Sequence, residues 1–148
     1  MKVFLICFIM VLVYVKEVIM RLNRNELIKL INTLNLEKKD FYILSSAALV
    51  LRGIMKDAGN LDIAVTENGF DKLSSKFILE AKGDNWYKIN DQIEFVVDTL
   101  TKEKVEDFGD YYLQDLDCYL DYLNKSDRQK DKERITLILD YKERRSFK

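Results

Sequence analysis

The 148-residue chain contains no histidine. That absence removes Ser-His-Asp and Cys-His triads, imidazole general bases and histidine-ligated metal sites. Any chemistry therefore falls to carboxylates, hydroxyls and cationic side chains. Cysteine is nearly as scarce: Cys7 and Cys118 are far apart, and two such residues form neither a zinc pattern nor a disulfide framework. This sparse usage points to a reducing compartment, and the cytoplasm is the expected location. Proline is absent as well, so nothing in the composition interrupts long helices. Repeats, linkers and low-complexity tracts are also missing. The longest apolar run, Val3 to Val15, spans thirteen residues, fewer than the roughly twenty that a bilayer-crossing helix needs. Val18-Ile19-Met20 offers no small-residue cleavage site of the kind a secretory signal requires.

What is present fits a single folded domain over residues 20–148, with 48% hydrophobic and 33% charged residues. Residues 1–19 form an apolar N-terminal extension with three readings. They are a segment ahead of the real start at Met20, an anchor lying on a membrane surface, or an element packed on the domain. No membrane association is expected of residues 20–148.

The formal net charge of −1 hides an asymmetry: residues 57–121 carry sixteen acids against six bases, while residues 125–148 carry nine bases against five acids. An acidic body therefore precedes a basic tail. General nucleic-acid binding is excluded, because it needs a broad positive face to attract phosphates. One local phosphate site near the tail is compatible with the pattern, as is a plain solvated helix face.

Hydrophobic spacing predicts a helix capped by Asn25, with Leu27, Ile28, Ile31 and Leu34 on one face, ending near Asn35. A strand follows at Phe41 to Leu44, then a short helix from Ala47 to Ile54 with Ser45-Ser46 at its start. Leu61 to Val65 reads as a second strand, and a helix from about Gly69 to Ala81 is capped by Asn68. Trp86 to Asn90 and Ile93 to Thr99 read as two strands joined by a tight turn at Asn90-Asp91. Beyond Asp110 the pattern is helical, with Leu113, Leu116, Tyr119, Leu120 and Leu123 on one helix. Ile135, Ile138 and Leu139 mark another that begins near Asp127. The expected fold is α+β: a small mixed sheet flanked by helices, with a C-terminal helical hairpin. Tyr111, Tyr112, Tyr119 and Tyr122 read as core or half-buried packing rather than as an acceptor surface.

Three features converge on phosphate and metal chemistry. Ser45-Ser46 sets hydroxyls and backbone N–H groups at a strand-to-helix turn, suited to an anion or simply to capping. Asn60 and Asp62, two apart on a strand, point to one face and together offer oxygens to Mg²⁺. In Gln92-Ile93-Glu94-Phe95-Val96-Val97, residues Ile93, Phe95 and Val97 take the core face, which leaves Glu94 on the other side.

Leu44-Ser45-Ser46, thirteen intervening residues and then Asn60-Leu61-Asp62-Ile63 resemble the signature of the DNA polymerase β-like nucleotidyltransferase superfamily. There, a hydrophobic residue, a glycine and a serine or glycine precede an acid-hydrophobic-acid-hydrophobic strand. Arg128-Gln129-Lys130-Asp131 resembles the Arg-x-Lys-Asp of the small bacterial members: minimal, antitoxin-like and antibiotic-modifying transferases.

The resemblance implies a nucleotidyltransferase-like fold and transfer of a nucleoside monophosphate from a nucleoside triphosphate to a hydroxyl, with Mg²⁺ or Mn²⁺. It implies phosphate contacts from Ser45 and Ser46, joined by Arg128 and Lys130. It implies metal binding by Asn60, Asp62 and Glu94, with Asp62 and Glu94 catalytic and Glu94 helping to deprotonate the attacking hydroxyl. Two departures accompany it. Ser45 stands where the family has glycine, and its side chain crowds the phosphate approach or opposes a positive φ. Asn60 replaces the first acid and brings no charge, with Asp57 or Asp98 the nearest replacements. The alternative expectation is a catalytically degenerate, antitoxin-like protein that binds nucleotide or a toxin-like protein partner without turnover.

Overall fold

The computed structural model describes residues 21–146; the readings offered for residues 1–19 lie outside the described residues. The fold is α+β. A short ribbon pairs β1 (Leu22–Asn23) with β3 (Asp57–Ala58), and seven further strands form one mixed sheet. Its spatial order is β5 (Glu80–Gly83), β6 (Trp86–Lys88), β7 (Ile93–Val97), β4 (Leu61–Val65), β2 (Phe41–Ile43), β9 (Tyr112–Gln114) and β8 (Val105–Asp107). β4 pairs in parallel with β7, and β2 with β9, while the other joints are antiparallel.

Alternation along the central strands decides what each face does. Leu61, Ile63 and Val65 of β4 and Ile93 and Phe95 of β7 are fully or almost fully buried. They pack on Leu27, Ile31 and Leu34 of α1 (Arg24–Leu34), on α2 (Ser45–Leu51) and on Leu73 of α3 (Glu67–Lys76). Each such aliphatic or aromatic side chain contributes about 1.5–3 kcal/mol. The opposite face carries Tyr42, Leu44 and Ala64 with Trp86 and Val96, an apolar cluster that includes no helix residue. Asp62 and Glu94 share that second face.

α2 is buried from Ser46 to Leu51. Its Leu49 turns away from the sheet to meet Leu116, Tyr119 and Leu123 of α4 (Leu116–Asn124) and Ile138 of α5 (Gln129–Ser146). One short apolar helix thus fastens the C-terminal hairpin to the sheet.

Several element boundaries differ from the sequence expectations. α1 is capped by Asn23 rather than Asn25: Asn23 accepts from the Glu26 N–H and Glu26 accepts from the Asn23 N–H, a reciprocal capping box. α2 has Leu44 at its cap position with no side-chain cap, so the serine hydroxyls do not play that role. α3 starts at Glu67 with Thr66 as cap and stops at Lys76, well short of Ala81. The following stretch is drawn into the sheet as β5, through a two-residue Asp84-Asn85 turn with φ of 54° and 66°, the geometry of a type I′ hairpin. Tyr112–Gln114 is strand β9, paired at Ile43 and Leu113, and the helix begins only after Asp115, whose carboxylate accepts from the Asp117 and Cys118 N–H groups. α5 begins at Gln129 rather than Asp127.

Buried Asp40 ties α3 to the sheet. Its carboxylate accepts from Lys72, Asn68 and the Glu37 N–H, and its carbonyl accepts from both the backbone and the hydroxyl of Thr66. Asn68 thus serves Asp40 instead of capping the helix. Burial opposes ionisation of Asp40, but these bonds outweigh it and hold the carboxyl below its ordinary value. Its stabilising contribution is therefore present above the unfolded carboxylate pKa and is lost as pH falls through the lowered folded one.

Gly69 is required for this junction, since a Cβ there would lie 2.7 Å from the Asp40 carbonyl oxygen. Gly69→Ala is expected to lower unfolding stability by about 1–3 kcal/mol, measured by urea denaturation; an unchanged midpoint would show that the junction yields freely.

Candidate functional site

The site is built on the face of the sheet opposite the main core, where parallel pairing sets Asp62 of β4 directly beside Glu94 of β7. Neighbouring strands lie about 4.8 Å apart, so two carboxylates meet at close range. Asp62 Oδ1 is buried and accepts no hydrogen bond among the described residues. Burial, followed by the Glu94 charge, pushes the Asp62 carboxyl up to about 6, against the opposing pull of Arg134 and Lys82. Glu94 is held differently, accepting from Lys82 Nζ at 2.9 Å.

Above Asp62 a cleft of about 420 Å³ opens between the sheet and the α4–α5 hairpin. Ser45, Ser46, Asn60, Asp62, Arg128 and Lys130 all line it. Six sequence-nominated residues therefore converge on one hollow, while Glu94 stands beside Asp62 outside that lining. Ser45 takes a positive φ of 54°, so the side chain at the expected glycine position does not bar the left-handed conformation. That conformation costs a non-glycine residue roughly 1–3 kcal/mol, and the Ser45 N–H donates to Gln114 Oε1 at 2.9 Å within it. The Leu44 N–H donates to the Asp62 carbonyl at 2.9 Å and locks the turn to β4.

Neither acid considered as a substitute for the missing first carboxylate is available to the site. Asp57 is paired with Arg21 at 2.6 Å. Asp98 accepts from Tyr42 Oη and from Lys104. Burial raises its carboxyl, but these bonds outweigh that and hold it below its ordinary value. Among the described residues no cluster of three or more acids or cysteines is suited to a metal. The oxygen donors at hand are Asp62, Glu94 and the Asn60 amide.

Much of the cleft wall comes from residues outside the sequence motifs. Arg134, Trp86, Gln114, Tyr119 and Tyr122 line it too. Arg134 follows Lys130 by four residues on α5, a spacing that puts both on one helix face, and that signal was present in the sequence. Tyr119 is buried, as expected of packing, yet its hydroxyl accepts from Arg134 Nη1 at 3.0 Å. Tyr122 is 58% exposed and stacks with Tyr119, ring centroids 6.2 Å apart. Flat aromatic faces and three cations therefore line the cleft of one half-buried carboxylate.

A second cavity of about 520 Å³ adjoins the first and shares Ser46, Asn60, Lys130 and Arg134 with it. Its remaining walls include Arg21, Met55, Glu133 and Leu137, with no aromatic ring. No helix among the described residues is long and apolar enough to cross a membrane. No family model, curated protein or solved structure matches the chain.

The Asp62 environment has a thermodynamic signature. A carboxyl whose pKa is raised on folding weakens the fold at pH above that raised value, and the penalty vanishes below the unfolded pKa near 4. Asp62→Asn is therefore expected to be more stable than the wild type at pH 8, on the order of 3 kcal/mol, with the gap closing near pH 4. Thermal denaturation at the two pH values checks this, and equal stability at pH 8 would contradict it.

Proposed function

We propose that the chain is a nucleotidyltransferase-like protein of DNA polymerase β type. In this reading the cleft binds a nucleoside triphosphate with Mg²⁺ or Mn²⁺ and transfers its nucleoside monophosphate to a hydroxyl. One observation carries the reading: Asp62 and Glu94 lie side by side on the sheet face opposite the main core, and Arg128, Lys130 and Arg134 line the cleft above Asp62. Cations next to a half-buried carboxylate whose Oδ1 lacks a partner suit a ligand that brings both negative phosphate and positive metal.

The donor set fits one divalent cation better than two. Asp62 Oδ1 lacks a partner, Glu94 adds a second carboxylate, and the Asn60 amide adds an oxygen without charge. A bound cation supplies charge neutralisation and alignment of the reacting phosphate. The chain's own groups do the rest. Lys130, Arg134 and Arg128 hold the phosphate tail, while Trp86 and Tyr122 offer flat faces to the base. The acceptor oxygen bonds to the α-phosphorus, the bond to pyrophosphate breaks, and the hydroxyl proton passes to Glu94, beside Asp62 on the neighbouring strand.

A second reading has its own support. Glu94 is already bound to Lys82, an arrangement that suits an antitoxin-like protein which binds nucleotide or a protein partner and performs no turnover.

Titration calorimetry with ATP and GTP, with and without Mn²⁺, tests the shared part of the two readings. Cation-dependent binding is expected, and its absence for both nucleotides would overturn them. Pyrophosphate release then separates the two. Asn60→Asp adds the missing charge and is expected to tighten Mn²⁺ binding roughly tenfold; unchanged affinity would remove Asn60 from the site.

A further inference from the structure

Asp131 is fully buried at the start of α5 and points away from solvent into a ring of donors. Its Oδ2 accepts from Ser126 Oγ at 2.6 Å and from Arg128 Nε at 2.8 Å. Its Oδ1 lies 3.7 Å from Arg134 Nη1 and takes no hydrogen bond. Arg134 Nη1 in turn donates to the Tyr119 hydroxyl at 3.0 Å. Both guanidiniums line the cleft, whereas Asp131 does not.

Arg128 is thus fixed by a hydrogen bond to this acid, and Arg134 by a longer ion pair to it together with its own bond to Tyr119. Arginine ordinarily gives up substantial rotamer freedom when a ligand immobilises it. A buried carboxylate that holds the fork beforehand removes part of that cost and aims the remaining N–H donors forward. Lys130, the third cation of the cleft, has no partner among the described residues and lacks this support.

We propose that Asp131 is a positioning residue which pre-sets Arg128 and Arg134 for a polyphosphate tail, an inference that rests on the phosphate-binding reading of the cleft. The idea makes a prediction opposite in sign to simple electrostatics. Removing a negative charge near the cleft would, by Coulomb's law alone, strengthen anion binding. Loss of positioning weakens it.

The test is calorimetric titration of the full chain with inorganic tripolyphosphate, without divalent cation and below each variant's melting temperature. Asp131→Asn is expected to bind about tenfold more weakly than the wild type. In an Arg128→Gln background the same change is expected to cost much less, because the residue bonded to Asp131 is gone. A purely structural role would lower the melting temperature yet leave affinity unchanged, or add independently to Arg128→Gln; either result overturns the proposal, as does tighter binding. Should Asp131→Asn not fold, Asp131→Glu keeps the charge and displaces it. Positioning predicts weaker binding there, and unchanged affinity refutes it. If the wild type itself binds no tripolyphosphate, the phosphate reading of the cleft fails first and the inference falls with it.

Discussion

The in-register parallel pairing of β4 with β7 fixes everything that follows at the site. A shift of one residue would turn Asp62 and Glu94 to opposite faces and bring apolar side chains out of the core. Burial prevents that slip, because Ile63, Val65, Ile93 and Phe95 are held against the helices on the other face. The same alternation that builds the core forces two carboxylates together on the open side. Burial, and after it the proximity of Glu94, raises the cost of ionising Asp62.

The hairpin answers that negative charge from above. α4 and α5 attach through Leu49, Leu123 and Ile138, and the attachment swings the beginning of α5 over the sheet. Arg128, Lys130 and Arg134 reach the cleft from this position. The basic tail and the acidic body are therefore more than a balance of solvated charge: part of each faces the same hollow. The positive φ at Ser45 belongs to the same junction, since the turn it makes lets β2 lead into α2 beside Asp62 while Gln114 satisfies its N–H.

Much of this was legible in the sequence where local pattern and burial agree. β-branched and aromatic alternation located β4 and β7, whereas Asn60 falls just ahead of β4 and lines the Asp62 cleft from the preceding bend rather than from the strand. Ser45, Ser46, Arg128 and Lys130 reach the same hollow from segments far apart in sequence. Illegible parts depend on long-range pairing. β5 is exposed at every position and offers no apolar face to read, and β9 is a three-residue strand that exists because Leu113 pairs with Ile43. Asp57 and Asp98 looked available because nothing local reveals partners such as Arg21, Tyr42 and Lys104. Asp131 was visible only as the end of a motif. Its burial and its hold on Arg128 emerge from the packing of α5 on α4.

The most direct test of the account is a crystal structure of the chain soaked with a nucleoside triphosphate and Mn²⁺. The account predicts an anomalous peak bonded to Asp62 Oδ1 within reach of Glu94, with phosphate oxygens against Lys130, Arg134 and Arg128. Manganese bound elsewhere, or a nucleotide that avoids the cleft while Asp62 stays uncoordinated, would contradict it.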